Sequence, residues 1–248
     1  MMSTFPKFAP EDLREAYLDL LKRSLMGWPY SSLGYKTTEV ERLEGKDWPD
    51  HAMTLLSLTR LNNIHTCIES VLRDNIPGDL MECGVWRGGA CILMLGVLHA
   101  WGIKDRAVHL VDSFAGVPEP TVESDKNETF HNYGYLAVGR PKVHKNIERY
   151  GLYSKQVRFL EGWFNQTLPE YKNDRPLAVL RIDADLYEST VDCLHYLYPQ
   201  LSIGGYVIID DYVNFPHVRK AVDEYRAQNN IKAEVIGVDW SAVYWRKS

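Results

Sequence analysis

Two short acidic runs, Arg181-Ile182-Asp183-Ala184-Asp185 and Ile208-Ile209-Asp210-Asp211, hold the residues of this 248-residue chain whose type and spacing most directly imply chemistry. Strand side chains alternate with period two, so Asp183 and Asp185 leave the same face of an extended segment while Ala184 points away. If the two runs end neighbouring parallel strands, four carboxylates meet at one sheet edge. So many uncompensated charges within a few ångströms repel one another, and the usual remedy is a divalent cation. Oxygen-only ligands without a His or Cys cluster favour Mg²⁺, with Mn²⁺ or Ca²⁺ as alternatives, over Zn²⁺. The competing reading makes Asp185 and Asp211 N-caps of the helices that follow.

A second group of residues points to a nucleoside cofactor. Glu82-Cys83-Gly84-Val85-Trp86-Arg87-Gly88-Gly89 runs from an apolar segment into an apolar helix, the place where glycines in an α/β sheet let backbone approach a ligand. The interval from Gly84 to Gly88 is one residue longer than dinucleotide spacing, and an acid two places before the first glycine would repel a pyrophosphate. That acid suits a cationic ligand such as a sulfonium or an ammonium group. Leu110-Val111-Asp112-Ser113-Phe114 puts an acid at the end of the next strand, placed to accept hydrogen bonds from the ribose hydroxyls that NAD and S-adenosylmethionine share. Otherwise Asp112 caps its own turn. Gly162 after Glu161 again permits close approach, and Trp163 either covers an adenine ring or belongs to the core. His51, His131 and His144 fall in or beside loop-like segments, where each is a conceivable base but a lone His is more often structural.

The elements that must position these residues read as a doubly wound α/β domain. Short apolar runs, DLMECG, AVHLVDSF, VRFLEG, LAVLRIDAD, GGYVIIDDY, IKAEVIGV and SAVYWRK, alternate with helix-length segments such as GGACILMLGVLHAWG, YESTVDCLHYLYPQL and FPHVRKAVDEYRAQ. The last two runs have no helix between them and predict a terminal antiparallel hairpin. Residues 1–75 read as a helical extension preceding a domain over 76–248. Leu13, Tyr17, Leu20, Leu21 and Leu25 recur at helical spacing, as do Leu55, Leu58, Leu61, Ile64, Ile68, Val71 and Leu72 before Ile76-Pro77-Gly78. The segment between these helices, from Trp28 to Asp50, is long and polar, as functional loops are.

Composition removes other classes. Lys and Arg number 28 against 33 Asp and Glu, a net charge of −5 with no basic run, which argues against a nucleic-acid groove. No apolar run reaches the ~20 residues of a membrane span, and the N-terminus lacks the order of a signal peptide, so a cytoplasmic protein is expected. Cys67, Cys83, Cys91 and Cys193 form no CxxC pair and read as buried thiols.

Together, MECGVWRGGACI, VDSFAGVP, VRFLEGWFNQTLP, RIDADLYEST and GGYVIIDDY closely resemble, in order and spacing, the macrocin O-methyltransferase (TylF-type) family. The resemblance runs from YLDLLKRSLMGWPY to the C-terminus. It implies a Rossmann-like class I methyltransferase fold with a mostly parallel twisted sheet, helices on both faces and an N-terminal lid extension. It implies S-adenosylmethionine as methyl donor and Mg²⁺, with Asp183, Asp210 and Asp211 as metal ligands and Asp185 as general base. Glu82, Gly84, Gly88, Asp112, Ser113, Gly162 and Trp163 fall on its cofactor-binding segments. The acceptor implied is a sugar hydroxyl on an antibiotic or related secondary metabolite, and a homodimer or higher homo-oligomer is expected. Cys83 stands where Thr is usual, Ala184 where Gly is usual, and Phe114-Ala115-Gly116 replaces Phe-Glu-Gly. A diol chelating Mg²⁺ has one hydroxyl acidified, and Asp185 can then accept its proton. Alternative readings are a catechol-type Mg²⁺-dependent methyltransferase acting on a phenol, a non-catalytic S-adenosylmethionine-binding protein, and an NAD-dependent oxidoreductase. The glycine spacing and the acid cluster disfavour the last.

Overall fold

Five apolar runs, four of them five or six residues long and the fifth nine, become the parallel part of one sheet. The structure, a computed structural model, describes residues 10–30, 38–172 and 174–248. Its strands are β1 (Asp79–Cys83), β2 (Val108–Asp112), β3 (Val157–Glu161), β4 (Leu177–Ile182), β5 (Leu201–Ile209), β6 (Ile236–Gly237) and β7 (Val243–Arg246), in the order β3-β2-β1-β4-β5-β7-β6. The first five are parallel, and β7 runs antiparallel to both β5 and β6. The chain order reverses between β1 and β4, which is where ligands bind in open α/β sheets.

The helices are α1 (Pro10–Leu25), α2 (Glu39–Glu44), α3 (Leu58–Arg73), α4 (Gly89–Ala100), α5 (Arg140–Arg149), α6 (Phe164–Thr167), α7 (Tyr187–Leu197) and α8 (Pro216–Gln228). Strand residues alternate between two cores, as period two requires. Leu80 and Leu110 join Leu21, Ile64, Ile92 and Ile147 on one side, while Met81 and Val111 join Leu194 and Val222 on the other. The N-terminal helices therefore share a core with the sheet, and α1 and α3 pack on α4.

Three sequence expectations are modified. On α1, Leu18, Leu21 and Leu25 are buried, but Leu13 and Leu20 face outward at 58 % and 63 % exposure, so the apolar face is narrower than the leucine count implies. The second helix begins at Leu58, because Ser57 accepts the Arg60 amide as N-cap and stops the helix there. The run IKAEVIGV contributes only Ile236–Gly237, a two-residue edge strand exposed on both positions, with little burial to hold a longer ladder. α5 was not anticipated; Pro141 in its first turn and buried Val143 and Ile147 at i, i+4 account for it. All four cysteines are buried and free, and no helix among the described residues is long and apolar enough to cross a membrane.

Candidate functional site

Strand register sets the acids side by side. Ile182 of β4 lies between Cys83 of β1 and Ile209 of β5, so the residues that follow leave the sheet together. The Asp183 amide donates to the Cys83 carbonyl at 2.9 Å and the Asp210 amide to the Ile182 carbonyl at 3.0 Å, extending the ladder by one residue on each side. Gly84 makes the first approach possible. At φ +85° it places its backbone so near β4 that a Cβ would lie 1.7 Å from the Asp183 carbonyl oxygen.

Asp183, Asp185 and Asp211 converge, with one carboxylate oxygen from each within 4.8 Å of the others. Neither Asp185 nor Asp211 caps a helix: α7 and α8 begin without a side-chain cap at the N-cap position. The first-turn amides of α7, Tyr187 and Glu188, donate to the fully buried Asp125 from the loop after β2, at 2.7 and 3.1 Å. Asp185 adopts φ +59°, and Trp86 and Phe114 after β1 and β2 also have positive φ. Left-handed non-glycine residues cost about 1–3 kcal/mol each and concentrate where function fixes geometry. Burial and the neighbouring carboxylates push Asp185 and Asp211 well above the ordinary carboxylate range, and Asp183 moves the same way. Asp211 Oδ2 is buried without a hydrogen-bond partner, an unsatisfied acceptor on a member of the acidic cluster.

Asp210 is placed differently from its three neighbours. One oxygen accepts from the Arg181 guanidinium at 2.5 Å and the other from Arg60 at 2.6 Å. Burial alone would raise its pKa, but the two guanidinium groups outweigh it and hold the carboxyl below the usual range. Asp210, expected among the metal ligands, is therefore not part of the converging trio; it stands beside the trio with both oxygens engaged. Arg181 also donates to Glu82 at 2.5 Å and to Asp183 at 3.0 Å.

The trio lies in a cavity of about 340 Å³ at the carboxyl ends of β1, β2, β4 and β5. Glu82, Gly84, Asp112, Ser113 and Trp163 line it; Gly88 and Gly162 shape the adjoining turns at φ +88° and +141° without lining it. Glu82, expected to face a cofactor, directs its oxygens to Arg181 and to the Cys91 thiol at 2.8 Å, and burial pushes its pKa up to about 7. Asp112 accepts the amides of Val85 and Phe114, both at 2.6 Å, and so ties the loop after β1 to its own turn. Ser113 closes that turn by donating to the Gly116 carbonyl. His51, His131 and His144 do not line the cavity: His51 lies edge-on to Tyr30, and His144 stacks on Tyr153 and meets Glu148.

Residues 30–247 match the family described as Macrocin-O-methyltransferase (TylF). The chain belongs to the macrocin O-methyltransferase (TylF) family. This TylF-family chain is 46 % identical over 245 residues to demethyldecarbamoylnovobiocin O-methyltransferase of Streptomyces niveus, covering 94 % of this chain and 93 % of that one. It is 44 % identical over 248 residues to mycinamicin III 3''-O-methyltransferase of Micromonospora griseorubida, covering 94 % and 97 %. Its fold superposes on the O-methyltransferase NovP with a TM-score of 0.91 at 47 % identity, over 95 % of this chain and 99 % of that one. A calicheamicin methyltransferase, CalS11, shares the fold at TM-score 0.66 and 20 % identity. The TylF-family protein is thus an O-methyltransferase, with the class I fold expected from its strand pattern.

Arg60, Arg181, Asp239 and Asp125 are not among the residues that type and spacing single out. For Arg181 a signal was present, because the period-two rule that pairs Asp183 with Asp185 puts Arg181 on the same side. Arg60 and Asp239 reach the site only through tertiary packing, from positions 150 residues before and 29 after Asp210.

Proposed function

We propose that this protein transfers the methyl group of S-adenosylmethionine to a sugar hydroxyl of a glycosylated natural product, with Mg²⁺ held by Asp183, Asp210 and Asp211 and with Asp185 as general base. The observation that carries this reading is the unpartnered, buried Asp211 Oδ2 inside a cluster of carboxylates. Oxygen donors without His or Cys fit a hard cation such as Mg²⁺. Asp183 and Asp211 are the ligands the geometry supports most directly. Asp210 joins them by sharing oxygens, since a carboxylate oxygen engaged by one guanidinium keeps a second lone pair. When bound, the cation supplies Lewis acidity and orients a chelating diol. Asp185 takes the proton of the attacking hydroxyl, and its raised proton affinity suits that task.

In this reading Asp112 holds the ribose with the lone pairs its two amide donors leave, and Trp163 covers the adenine. Gly84, Gly88 and Gly162 admit the cofactor close to backbone beside Ser113, and Glu82 serves the same floor by anchoring Arg181. The segments 28–50, of which 31–37 lie outside the described residues, and 122–139 form the lid and carry acceptor preference; Trp48, which lines the cavity, lies 5.3 Å from the Tyr135 ring. The relatives' names supply the acceptor class, novobiocin and mycinamicin precursors. The homo-oligomer expected of the family is part of the proposal. Paired glycosides test the reading: an acceptor with a vicinal diol should be methylated with Mg²⁺ present, and its deoxy analogue lacking the neighbouring hydroxyl should not. Equal turnover of the pair would remove the chelation step.

A further inference from the structure

Asp210 is held by a charge chain that begins outside the sheet. Arg60, in the first turn of α3, donates from one terminal nitrogen to Asp210 at 2.6 Å and from Nε to Asp239 at 3.0 Å. Asp239 lies in the turn between β6 and β7, where its second oxygen accepts the amides of Ser241 and Ala242. The Ser57 hydroxyl, at the N-cap of α3, donates to Asp239 at 2.6 Å, and the Ser241 hydroxyl donates to the Asp210 carbonyl at 2.7 Å. Trp240 lies 5.5 Å from the Arg60 guanidinium and donates its ring N–H to the Glu44 carbonyl at the end of α2. Gly45, the C-cap of α2, presses so closely that a Cβ there would fall 2.9 Å from Arg60 and 2.6 Å from the Ser57 amide. Arg60 is 6 % exposed and Asp210 4 %, so the carboxylate has little water to orient it and depends on these donors.

We propose that Arg60, braced by Asp239, is a positioning residue for the metal site: it sets the orientation of Asp210, and through Asp239 and Trp240 makes that orientation depend on the seating of α2 and the terminal hairpin. This inference rests on the metal reading of the aspartates and goes beyond it by assigning a role to residues 60 and 239. Groups that orient first ligands typically change metal affinity or activity by roughly 10–100-fold when removed. A fork of two donors shared between two carboxylates is specific to guanidinium, so Lys at position 60 reaches one acid and not both.

The test uses the full-length protein and Mn²⁺ alone, with binding read from the loss of the free-ion electron paramagnetic resonance signal and S-adenosylmethionine affinity measured in parallel by calorimetry. Arg60→Gln should weaken Mn²⁺ binding by about tenfold or more, Arg60→Lys should recover part of it, and Asp239→Asn should give a smaller loss in the same direction. S-adenosylmethionine affinity should stay within about twofold for all three, which also certifies that they fold. Unchanged Mn²⁺ affinity in Arg60→Gln overturns the inference, as does an equal loss of both affinities, which marks a structural role only. If Arg60→Gln does not fold, Asp239→Asn decides alone. A wild-type protein that binds no Mn²⁺ refutes the metal reading itself, separately from the role of Arg60.

Discussion

Asp183, Asp185, Asp210 and Asp211 have the same side chain and lie within a few residues of one sheet edge, yet their surroundings divide them. Asp210 is ionised between two guanidinium groups, whereas Asp185 and Asp211 are buried beside other acids and hold protons more tightly. Asp185→Asn keeps shape and removes basicity; kcat should fall by about 10²–10⁴ with Mn²⁺ affinity nearly unchanged, checked by steady-state kinetics beside metal titration. Asp183→Ala should abolish Mg²⁺-dependent turnover while calorimetry shows S-adenosylmethionine binding intact. Glu82 carries a pH signature. Its folded pKa of about 7 exceeds the ordinary 4.5, so its folded form keeps a proton that the unfolded chain releases earlier. That contribution to stability is present below pH 4.5 and lost as pH rises through 7. Metal-free protein denatured with guanidinium at pH 5 and pH 8 should therefore show a smaller difference in the Glu82→Gln variant than in wild type. The nearness of Asp183 to Asp185 was expected from alternation, but β4 ends at Ile182 and Asp185 turns at φ +59°, so the local backbone after the strand and not period two sets it; the separation of Asp210 from its neighbours was not legible, because it depends on Arg60 arriving from another element.

At the scale of elements, strand ends and the turns after them do most of the positioning. Parallel strands β1, β4 and β5 in register bring the two acidic runs together, and this was readable from apolar runs ending in Asp. The N-cap alternative for Asp185 and Asp211 was equally readable; for Asp185 it fails because Asp125, 62 residues before Tyr187, holds the first turn of α7, and for Asp211 because the N-cap position of α8 is Phe215, four residues later, with no side-chain cap. Gly84 joins β1 to β4 at van der Waals limits, so Gly84→Ala forces a left-handed alanine against the Asp183 carbonyl. It should lose more than about 1 kcal/mol of stability in denaturant titration and weaken Mn²⁺ binding together with it. Trp48, which lines the cavity, meets the Tyr135 ring of the second proposed lid segment. Trp48→Ala should raise the acceptor KM while leaving S-adenosylmethionine affinity unchanged; an unaltered acceptor KM would remove the lid assignment. α5 escaped notice because only Val143, Asn146 and Ile147 of its ten residues are buried, which leaves a weak apolar pattern in a polar stretch.

Across the whole molecule, the N-terminal helices and the terminal hairpin meet at the acidic edge from opposite ends of the chain. α3 contributes Arg60, the β6–β7 turn contributes Asp239 and Ser241, and the sheet contributes Asp210. The alternation of strands and helices made the fold class legible, whereas this closure depends on contacts more than 150 residues apart. The net charge of −5 is likewise a sum that conceals placement, since three of its 33 acids converge within 4.8 Å and a fourth stands beside them. We propose that a divalent cation at those aspartates acidifies and orients the acceptor hydroxyl of this TylF-family O-methyltransferase, with Asp185 taking its proton. The most direct measurement is transfer of labelled methyl from S-adenosylmethionine to a diol-bearing glycoside in excess EDTA, followed by readdition of Mg²⁺. Loss of turnover in the chelator and its restoration by Mg²⁺ are predicted; undiminished turnover in EDTA would exclude a metal requirement.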